Sequence, residues 1–162
     1  MPDSDSNSDR YSETLKQFLV SRGIWHRFIE FDEPVKTVEQ AARKVAADLI
    51  AKSIILVDSN NMPLMVILRA HNRISYKKVK QLVGVKDVRL ADEREVLSYS
   101  GYPVGGVPPF NLVKRAFLDQ QVMRNETAIA GGGDINKLLE LRTVDIVKTI
   151  SPVIADLSRE TS

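Results

Sequence analysis

Lys52 is the residue of this chain best suited to bind an anion. It immediately precedes the apolar run 53–57 (SIILV) and directly follows a predicted helix. Most lysines at strand ends are simply exposed, but a lysine that begins a core strand can direct its ammonium into a cleft at the end of the sheet. A compact cation with three hydrogen-bond donors suits a phosphate oxygen or another polar ligand. Lys52 is therefore the first candidate site residue.

Two glycine-rich segments could bind a small substrate through their main chain, because glycine lets a ligand approach the backbone closely. Residues 101–110 (GYPVGGVPPF) contain three of the eight glycines and three of the seven prolines, a density that no helix or central strand tolerates. Residues 131–133 are a glycine triplet. Ordinary tight turns are the alternative, which we favour for 131–133 and leave open for 101–110. Neither segment matches a phosphate-binding loop or a dinucleotide fingerprint.

The composition excludes several other kinds of site. The chain has no cysteine, which rules out a cysteine nucleophile, a thiolate metal site, an iron–sulfur cluster and a disulfide framework. Its two histidines, His26 and His71, stand apart, and no Ser-His-Asp arrangement can be argued. We therefore expect no metal and no cofactor. The lack of cysteine suits a reducing cytosol, and no apolar run approaches the roughly 20 residues that span a bilayer, so we expect a cytoplasmic protein without a membrane partner.

The net charge of +2 conceals an uneven distribution. Residues 1–9 carry three Asp and no base, so that residues 10–162 alone carry +5. Residues 69–80 contain no acid and five bases, which are Arg69, Arg73, Lys77, Lys78 and Lys80. Such a run is usually a solvated helix face, and the alternative is a patch that attracts phosphates. We predict a disordered tail over residues 1–9 and a single domain over residues 10–162.

Hydrophobic periodicity and capping signals predict the elements that would position these residues. The predicted helices span residues 10–22 with Ser12 as N-cap, 38–49 with Thr37 and Gln40 in capping-box spacing, 76–82 after Ser75, 92–99, and 144–150 after Thr143. The predicted strands span residues 24–31, 53–57, 64–68, 88–90, 117–119, 127–130 and 135–141, and the second and third form a hairpin. This irregular interleaving predicts an α+β fold or a mixed sheet rather than a doubly wound parallel fold.

Four segments, in this order and spacing, resemble a known family. They are 37–42 (TVEQAA), 51–56 (AKSIIL), 101–110 (GYPVGGVPPF) and 130–133 (AGGG). Over roughly residues 15–157 the chain is similar to the YbaK / prolyl-tRNA synthetase-associated editing domain family of aminoacyl-tRNA deacylases. The resemblance implies a compact α+β domain with flanking helices around a mixed, partly barrel-like β-sheet. It also implies hydrolysis of the ester that joins a mischarged amino acid to the terminal adenosine of a tRNA.

The resemblance assigns roles to particular residues. Lys52 matches the lysine that meets the phosphate and ribose of the terminal adenosine, and Gly105 and Pro109 bound the GxxxP loop whose backbone positions the aminoacyl group. The predicted catalytic residues are accordingly Lys52, Gly105 and Pro109. The predicted substrate-binding residues are Thr37, Ser53, Gly106, Val107, Pro108, Gly131, Gly132 and Gly133. The predicted nucleic-acid-binding residues are Arg69, Arg73, Lys77 and Lys78.

Two departures from the family pattern bear on the amino acid that is removed. Alanine-specific members have a histidine in the segment that matches residues 131–133, and they tend to have asparagine after the lysine, where this chain has Ser53. These departures favour a trans-acting deacylase of the cysteine type or of a broader small-residue type, with tRNA-Pro as the predicted tRNA. An ester is already activated, so orientation, a positioned water and oxyanion stabilisation can supply most of the rate without a strong nucleophile.

The alternative function is a non-catalytic module of the same fold that binds tRNA or a synthetase. The basic segment 69–80 motivates both hypotheses, and salt-dependent tRNA binding without ester cleavage would indicate the second. The expected partner is the acceptor end of an aminoacylated tRNA, and an aminoacyl-tRNA synthetase is the second partner considered.

Overall fold

A computed structural model of the chain describes residues 9–159. Residues 1–8, most of the predicted acidic tail, lie outside the described residues, and the prediction of disorder stays a prediction there. Asp9 lies within the described part, where its carboxylate accepts a 2.5 Å hydrogen bond from Nζ of Lys137. Lys137 is buried and also pairs with Glu30 at 3.0 Å, so Asp9 is held against the folded domain by a largely desolvated cation.

The described chain contains five α-helices, eight β-strands and two short 3₁₀ helices, over Ala47–Leu49 and Gln120–Arg124. The α-helices are α1 (Arg10–Ser21), α2 (Val38–Ala41), α3 (Tyr76–Val83), α4 (Glu93–Ser100) and α5 (Thr143–Ile150). The strands are β1 (His26–Glu30), β2 (Ala51–Asp58), β3 (Pro63–Arg69), β4 (Val88–Leu90), β5 (Ala116–Asp119), β6 (Thr127–Gly132), β7 (Asp134–Arg142) and β8 (Val153–Ala155). Within residues 9–159, no helix combines the length and the apolar character needed to cross a bilayer.

The strands form two sheets. The smaller is antiparallel in the order β1-β7-β6, and the larger has the order β4-β2-β3-β5-β8. In the larger sheet β4, β2 and β3 are antiparallel, whereas the pairs β3–β5 and β5–β8 are parallel. An isolated parallel bridge between Ile50 and Ile129 joins the two sheets. The predicted α+β class and mixed sheet are confirmed, and the partly barrel-like character amounts to two sheets that meet at one short seam rather than to a closed barrel.

The largest cluster of buried apolar side chains draws on both sheets and on α1. Leu15 and Leu19 of α1 are completely buried, together with Ile67 of β3 and Leu139 of β7. Each fully buried side chain of this size contributes about 1.5–3 kcal/mol of transfer free energy, so this cluster holds the two sheets in place. A second cluster, which includes Val79 of α3, covers the other face of the larger sheet.

The predicted helix over residues 38–49 is wrong beyond its first turn. The capping box forms, but α2 ends at Ala41. Val45 and Ile50 are instead buried in one cluster with Ile129 of β6. Their burial requires the chain to turn toward the seam between the sheets, and this outweighs the local helix propensity of an alanine-rich segment.

The structure also differs from the sequence prediction at two helix caps and one strand. Ser12 lies inside α1, where its main-chain N–H donates a 2.9 Å hydrogen bond to a carboxylate oxygen of Asp134. Thr143 is the first residue of α5 rather than its cap, and its Oγ1 donates to the carbonyl oxygen of Asn125 at 2.8 Å. The three-residue strand β8 follows Pro152 and was not predicted.

Candidate functional site

A cavity of about 350 Å³ opens where β2 and β6 diverge beyond the Ile50–Ile129 bridge. Residues 51–55 of β2 form one wall and residues 129–131 of β6 contribute to the opposite wall. Residues 35–38, at the start of α2, and parts of the 101–110 segment close other sides. The lining is mostly aliphatic, and the volume is near the low end for sites that hold small molecules.

Lys52 lies on the β2 wall of this cavity. It pairs with Leu68 of β3 and is half-buried. Within residues 9–159 its ammonium forms no ion pair. Burial, followed by the positive charge of Arg73, holds the pKa of Lys52 below its ordinary value. A bound anion would relieve both effects, so the arrangement favours a negatively charged ligand.

Among the described residues, Ser53 of β2 has no strand partner on the side of β2 that faces away from β3. Ile50 accepts a hydrogen bond from Ala70 on the β3 side, whereas Ile55 accepts one from Ala91 on the opposite side. Because main-chain groups alternate in direction along a strand, Ser53 directs its N–H and C=O toward that opposite side, where β4 pairs only with the far end of β2. The Ser53 hydroxyl is buried and has no hydrogen-bond partner within the described residues. Ser53 thus offers a polar group to a ligand.

The two glycine-rich segments form one wall, because they contact each other through their backbones. The N–H of Gly133 donates a 2.8 Å hydrogen bond to the carbonyl oxygen of Gly106. A Cβ on Gly106 would lie 2.2 Å from the Gly133 oxygen, and one on Gly131 would lie 2.4 Å from the Val107 oxygen. No side chain fits between them. The prediction of a tight turn at 131–133 is right for Gly133, which has φ +94° between β6 and β7.

The cavity brings together six of the eleven residues predicted for catalysis or substrate binding, which are Thr37, Lys52, Ser53, Gly105, Val107 and Gly131. The other five, Gly106, Pro108, Pro109, Gly132 and Gly133, are buried and do not line it. Pro109 has no N–H, so it cannot supply a main-chain donor to an oxyanion. Thr37 is occupied as a cap, since its hydroxyl accepts the N–H of Gln40 at 3.1 Å.

The loop wall offers main-chain donors. Gly106 donates its N–H to Pro103 at 2.9 Å, but within residues 9–159 neither Gly105 nor Val107 has an acceptor for its N–H. Both residues line the cavity. Gly105 has φ +91°, a conformation that glycine adopts without strain.

Lys36 is a cavity residue that the sequence analysis missed. Among the lining residues, the ionisable side chains are Lys36 and Lys52, and Lys36 is exposed at the rim. The available signal was its position directly before the Thr37 cap, but an exposed lysine beside a helix cap is common and predicts nothing by itself. Within residues 9–159, no histidine or acidic side chain lines the cavity, so the lining supplies neither an imidazole nor a carboxylate as a general acid or base.

Three of the four predicted nucleic-acid-binding residues lie outside the cavity with their charges unpaired within the described chain. Arg69 ends β3, and its Nε is buried without a hydrogen-bond partner in that part of the chain. Arg73 is exposed and close enough to Lys52 to lower the pKa of that lysine. Lys77 is exposed on α3. Contact of these three with nucleic acid stays a prediction.

Lys78 differs from the other three because its ammonium is already engaged. Its Nζ pairs with Asp156 at 2.8 Å and donates to the carbonyl oxygen of Ser158, also at 2.8 Å. These contacts tie α3 to the C-terminal segment. A structural role therefore competes with the predicted contact between Lys78 and nucleic acid.

The histidines do not contribute to the cavity. His26 contacts the carbonyl oxygen of Ile24 through Nδ1 at 2.8 Å, and His71 is exposed. Within residues 9–159, no three His, Asp or Glu side chains come together in a way that could hold a metal ion.

Comparison with known proteins places this geometry in a family. The model of the aminoacyl-tRNA editing domain matches residues 32–149. The uncharacterized protein YwhH of Bacillus subtilis is 31% identical over 135 residues, which cover 79% of this chain and 85% of YwhH. A solved structure described as a candidate trans-editing enzyme for prolyl-tRNA synthetase has a TM-score of 0.83 at 24% identity, covers 93% of this chain and 98% of its own, and shows the same fold.

Longer relatives contain a related segment. The proline–tRNA ligase of Desulfotalea psychrophila is 32% identical over 102 residues, which cover 62% of this chain but only 17% of the ligase. The family match extends over most of the chain and includes α2, Lys52 and the 101–110 and 131–133 segments. The resemblance inferred from those four segments is thereby confirmed, and the chain belongs to the aminoacyl-tRNA editing domain family.

Proposed function

We propose that this protein is a trans-acting aminoacyl-tRNA deacylase that removes a mischarged small amino acid from tRNA-Pro. The observation that carries the proposal is the convergence of Lys52 and the two glycine-rich segments on one small cavity. Membership of the editing domain family supports ester hydrolysis, and the proline–tRNA ligase relatives support tRNA-Pro. Action in trans is supported by YwhH, most of whose length matches this chain. Such a substrate would be met in the cytoplasm.

The chemistry has to proceed without a histidine or a carboxylate from the described cavity wall, and this proposal uses Lys52 for binding rather than for proton transfer. Water attacks the carbonyl carbon of the ester and the bond to the ribose oxygen breaks. One proton of the attacking water ends on the ribose oxygen, the other passes to solvent, and the amino acid leaves as a free carboxylate. We assign the N–H groups of Gly105 and Val107 to the oxyanion that forms during attack. Removal of a single oxyanion-hole donor typically costs about 2.7–4 kcal/mol of transition-state stabilisation.

Lys52 orients the substrate in this proposal. Its half-buried ammonium meets the phosphate of the terminal nucleotide, and Arg73 adds positive charge from the rim. Binding energy gained at a phosphate, away from the reacting bond, can be used to fix the ester in its reactive geometry. Lys52 therefore acts on the rate as well as on affinity.

The dimensions of the cavity favour a small aminoacyl group. Aliphatic side chains such as Val38, Ile55 and Ile129 line it. The two glycine segments are in direct backbone contact, so the wall that they form has no space to move outward. Sterics can exclude a larger amino acid, whereas a small apolar wall discriminates poorly among small ones. We therefore propose cysteine or a broader set of small residues as the substrate; with cysteine, the substrate thiol can itself assist ester cleavage.

The test is a deacylation panel. Purified protein is incubated with tRNA-Pro charged with cysteine, alanine, serine or proline, and the surviving ester is followed with time against a no-enzyme control. We expect enzyme-dependent loss of at least one of the first three esters and no loss of the prolyl ester. Absence of enzyme-dependent loss for all four would refute the proposed activity.

The alternative is a non-catalytic module that binds tRNA or a synthetase through the same surface, and the basic segment 69–80 is the observation that favours it. This alternative predicts salt-dependent binding with equal affinity for charged and uncharged tRNA and no ester cleavage. Measuring binding and cleavage on the same tRNA preparations separates the two functions.

A further inference from the structure

A second concave region lies outside the cavity and has a different character. This polar cleft, of about 370 Å³, is lined entirely by polar residues. Its amide side chains come from Asn72, Gln120 and Gln121, and its charged ones are Lys78, Asp156 and Arg159. Lys78 and Asp156 neutralise each other in a 2.8 Å ion pair, so Arg159 is the cation of the lining that is available to a phosphate. An apolar ligand or a hydrophobic protein surface gains nothing from such a lining, whereas a nucleotide offers groups that match it.

The polar cleft is held rigid by a buried acid beneath it. Asp119 is completely buried, and its carboxylate accepts hydrogen bonds from Gln121 N–H at 2.9 Å, Leu157 N–H at 2.9 Å and Ser158 Oγ at 2.8 Å. Gln121 and Ser158 both line the cleft and come from separate segments of the chain, so Asp119 ties two parts of the lining together. A lining that is fixed before any ligand arrives reduces the entropy lost on binding.

Two amide side chains of the polar cleft hydrogen-bond to each other, and each keeps a further group that is available to a ligand. Asn72 Nδ2 donates a 2.9 Å hydrogen bond to Gln121 Oε1. Within residues 9–159, Asn72 Oδ1 and Gln121 Nε2 have no partner and remain as one acceptor and one donor. Unpaired bases present neighbouring donors and acceptors on their edges, which amide side chains read well. Arg159 is exposed, forms no ion pair in the same range, and can meet a phosphate.

The polar cleft lies near the cavity. Ala70 lines the cavity and Asn72 lines the cleft, and two residues of chain span at most about 7 Å. Asn72 folds back through a 3.0 Å hydrogen bond from its N–H to the Arg69 carbonyl oxygen. Arg73 follows directly, and its carbonyl oxygen accepts the N–H of Arg159 at 2.8 Å. A strand whose last nucleotide lies at Lys52 can therefore pass Arg73 and enter the cleft.

We propose that the polar cleft binds the unpaired nucleotide that precedes the terminal adenosine of the tRNA. Asn72 and Gln121 contact its base, and Arg73 and Arg159 contact the backbone phosphates on either side. This inference rests on the proposed function, since the terminal adenosine is taken to lie at Lys52. It adds a site that positions the RNA strand rather than one that takes part in hydrolysis.

The test uses the double variant Asn72→Ala/Gln121→Ala, which removes both partners of their mutual hydrogen bond, and two substrates. One is the aminoacyl-tRNA that wild type cleaves fastest, and the other is the matching 2′(3′)-O-aminoacyl-adenosine 5′-monophosphate, which keeps the phosphate assigned to Lys52 but lacks the preceding nucleotide. We expect kcat/KM to fall at least tenfold on the tRNA and to change less than twofold on the adenosine ester. Asn60→Ala, which removes an exposed amide from the β2–β3 turn, should leave both values unchanged. Equal losses on the two substrates, or no loss on the tRNA, would overturn the proposal.

Binding provides an arm that does not depend on hydrolysis. Wild type should bind an uncharged RNA hairpin ending in CCA at least fivefold more tightly than the double variant does, measured by fluorescence anisotropy at fixed salt. Gln121→Glu, which keeps the side-chain shape but adds a negative charge, should weaken binding similarly if the double variant proves unstable. If wild type cleaves no ester, the proposed function fails, but this difference in RNA binding still tests whether the polar cleft binds the nucleotide. Equal binding by wild type and Gln121→Glu, or no binding by wild type, would overturn it.

Discussion

Gly133 donates its main-chain N–H to the carbonyl oxygen of Gly106 at 2.8 Å, and this contact joins two segments that are remote in the chain into one wall of the cavity. A Cβ on Gly106 would lie 2.2 Å from the Gly133 oxygen. No side-chain movement can relieve this clash, because the atom in the way belongs to the backbone. The glycine at 106 is therefore required by close approach, not by a positive φ.

Gly106→Ala should accordingly lose both stability and ester hydrolysis. Overpacking of this kind costs about 1–3 kcal/mol, which urea denaturation would measure as a lower free energy of unfolding. Gly84→Ala is a control matched for stability. Gly84 ends α3 with φ +78° and open space around it, so alanine there costs about 1–2 kcal/mol through backbone strain alone. Gly84→Ala should retain hydrolysis, and a Gly106→Ala variant that also retained it would contradict the wall assignment.

Lys52→Ala should lower kcat/KM for aminoacyl-tRNA at least tenfold, equivalent to about 1.4 kcal/mol of transition-state stabilisation. The loss follows from removing the cation that orients the phosphate. Lys86→Ala deletes an exposed lysine between α3 and β4 and should have no effect. Single-turnover deacylation assays would compare the three proteins at one salt concentration, and an unchanged rate for Lys52→Ala would remove this residue from the site.

The pH dependence of activity should report the protonation of Lys52. Burial and the charge of Arg73 lower the pKa of Lys52, so the ammonium loses its proton at a lower pH than an ordinary lysine does. Activity, corrected for spontaneous ester hydrolysis, should therefore fall as the pH is raised through this depressed pKa. Lys52→Arg keeps its charge at alkaline pH, so its activity should show no such fall. The same alkaline fall in both proteins would assign the titration to another group.

Asp58 should make stability depend on acid pH. Its buried carboxylate accepts the N–H groups of Asn60 at 2.8 Å and Met62 at 3.0 Å and pairs with Arg115 at 2.8 Å. Burial alone would raise the pKa of Asp58, but these hydrogen bonds and the Arg115 charge together hold it below its ordinary value. The stabilisation is thus fully present above the pKa of the unfolded chain and is lost as the pH falls through the lower pKa of the folded protein.

Asp58→Asn tests this dependence. At neutral pH the variant should be less stable by about 1.5–3 kcal/mol, the range for hydrogen bonds to a charged group. The difference from wild type should shrink as the pH is lowered, when Asp58 becomes protonated. Asp48→Asn, at an exposed aspartate, should track wild type throughout. A difference for Asp58→Asn that did not change with pH would show that its charge is not the cause.

Local signals in the sequence predicted most of the elements correctly. Capping residues predicted the helices after Ser75 and Asp92, and two apolar runs separated by a turn predicted the β2–β3 hairpin. Each of these signals lies within a few residues of the element that it predicts. The helix predicted beyond Ala41 failed for the opposite reason. Burial of Val45 and Ile50 against β6 depends on a strand about 80 residues further along the chain, and local propensity carries no information about it.

The sequence by itself determined the kinds of groups available for chemistry: one lysine at the start of a core strand, two glycine-rich segments and no cysteine. Only the tertiary structure decided which of them meet. It brought Lys52, Ser53, Gly105 and Gly131 to one cavity and left Pro109 buried outside its lining. It also built the polar cleft around Asp119, for which the sequence carried no signal. The physical reason is that residue types and local spacing are properties of the chain, whereas cavities arise where strands distant in sequence pack and then diverge.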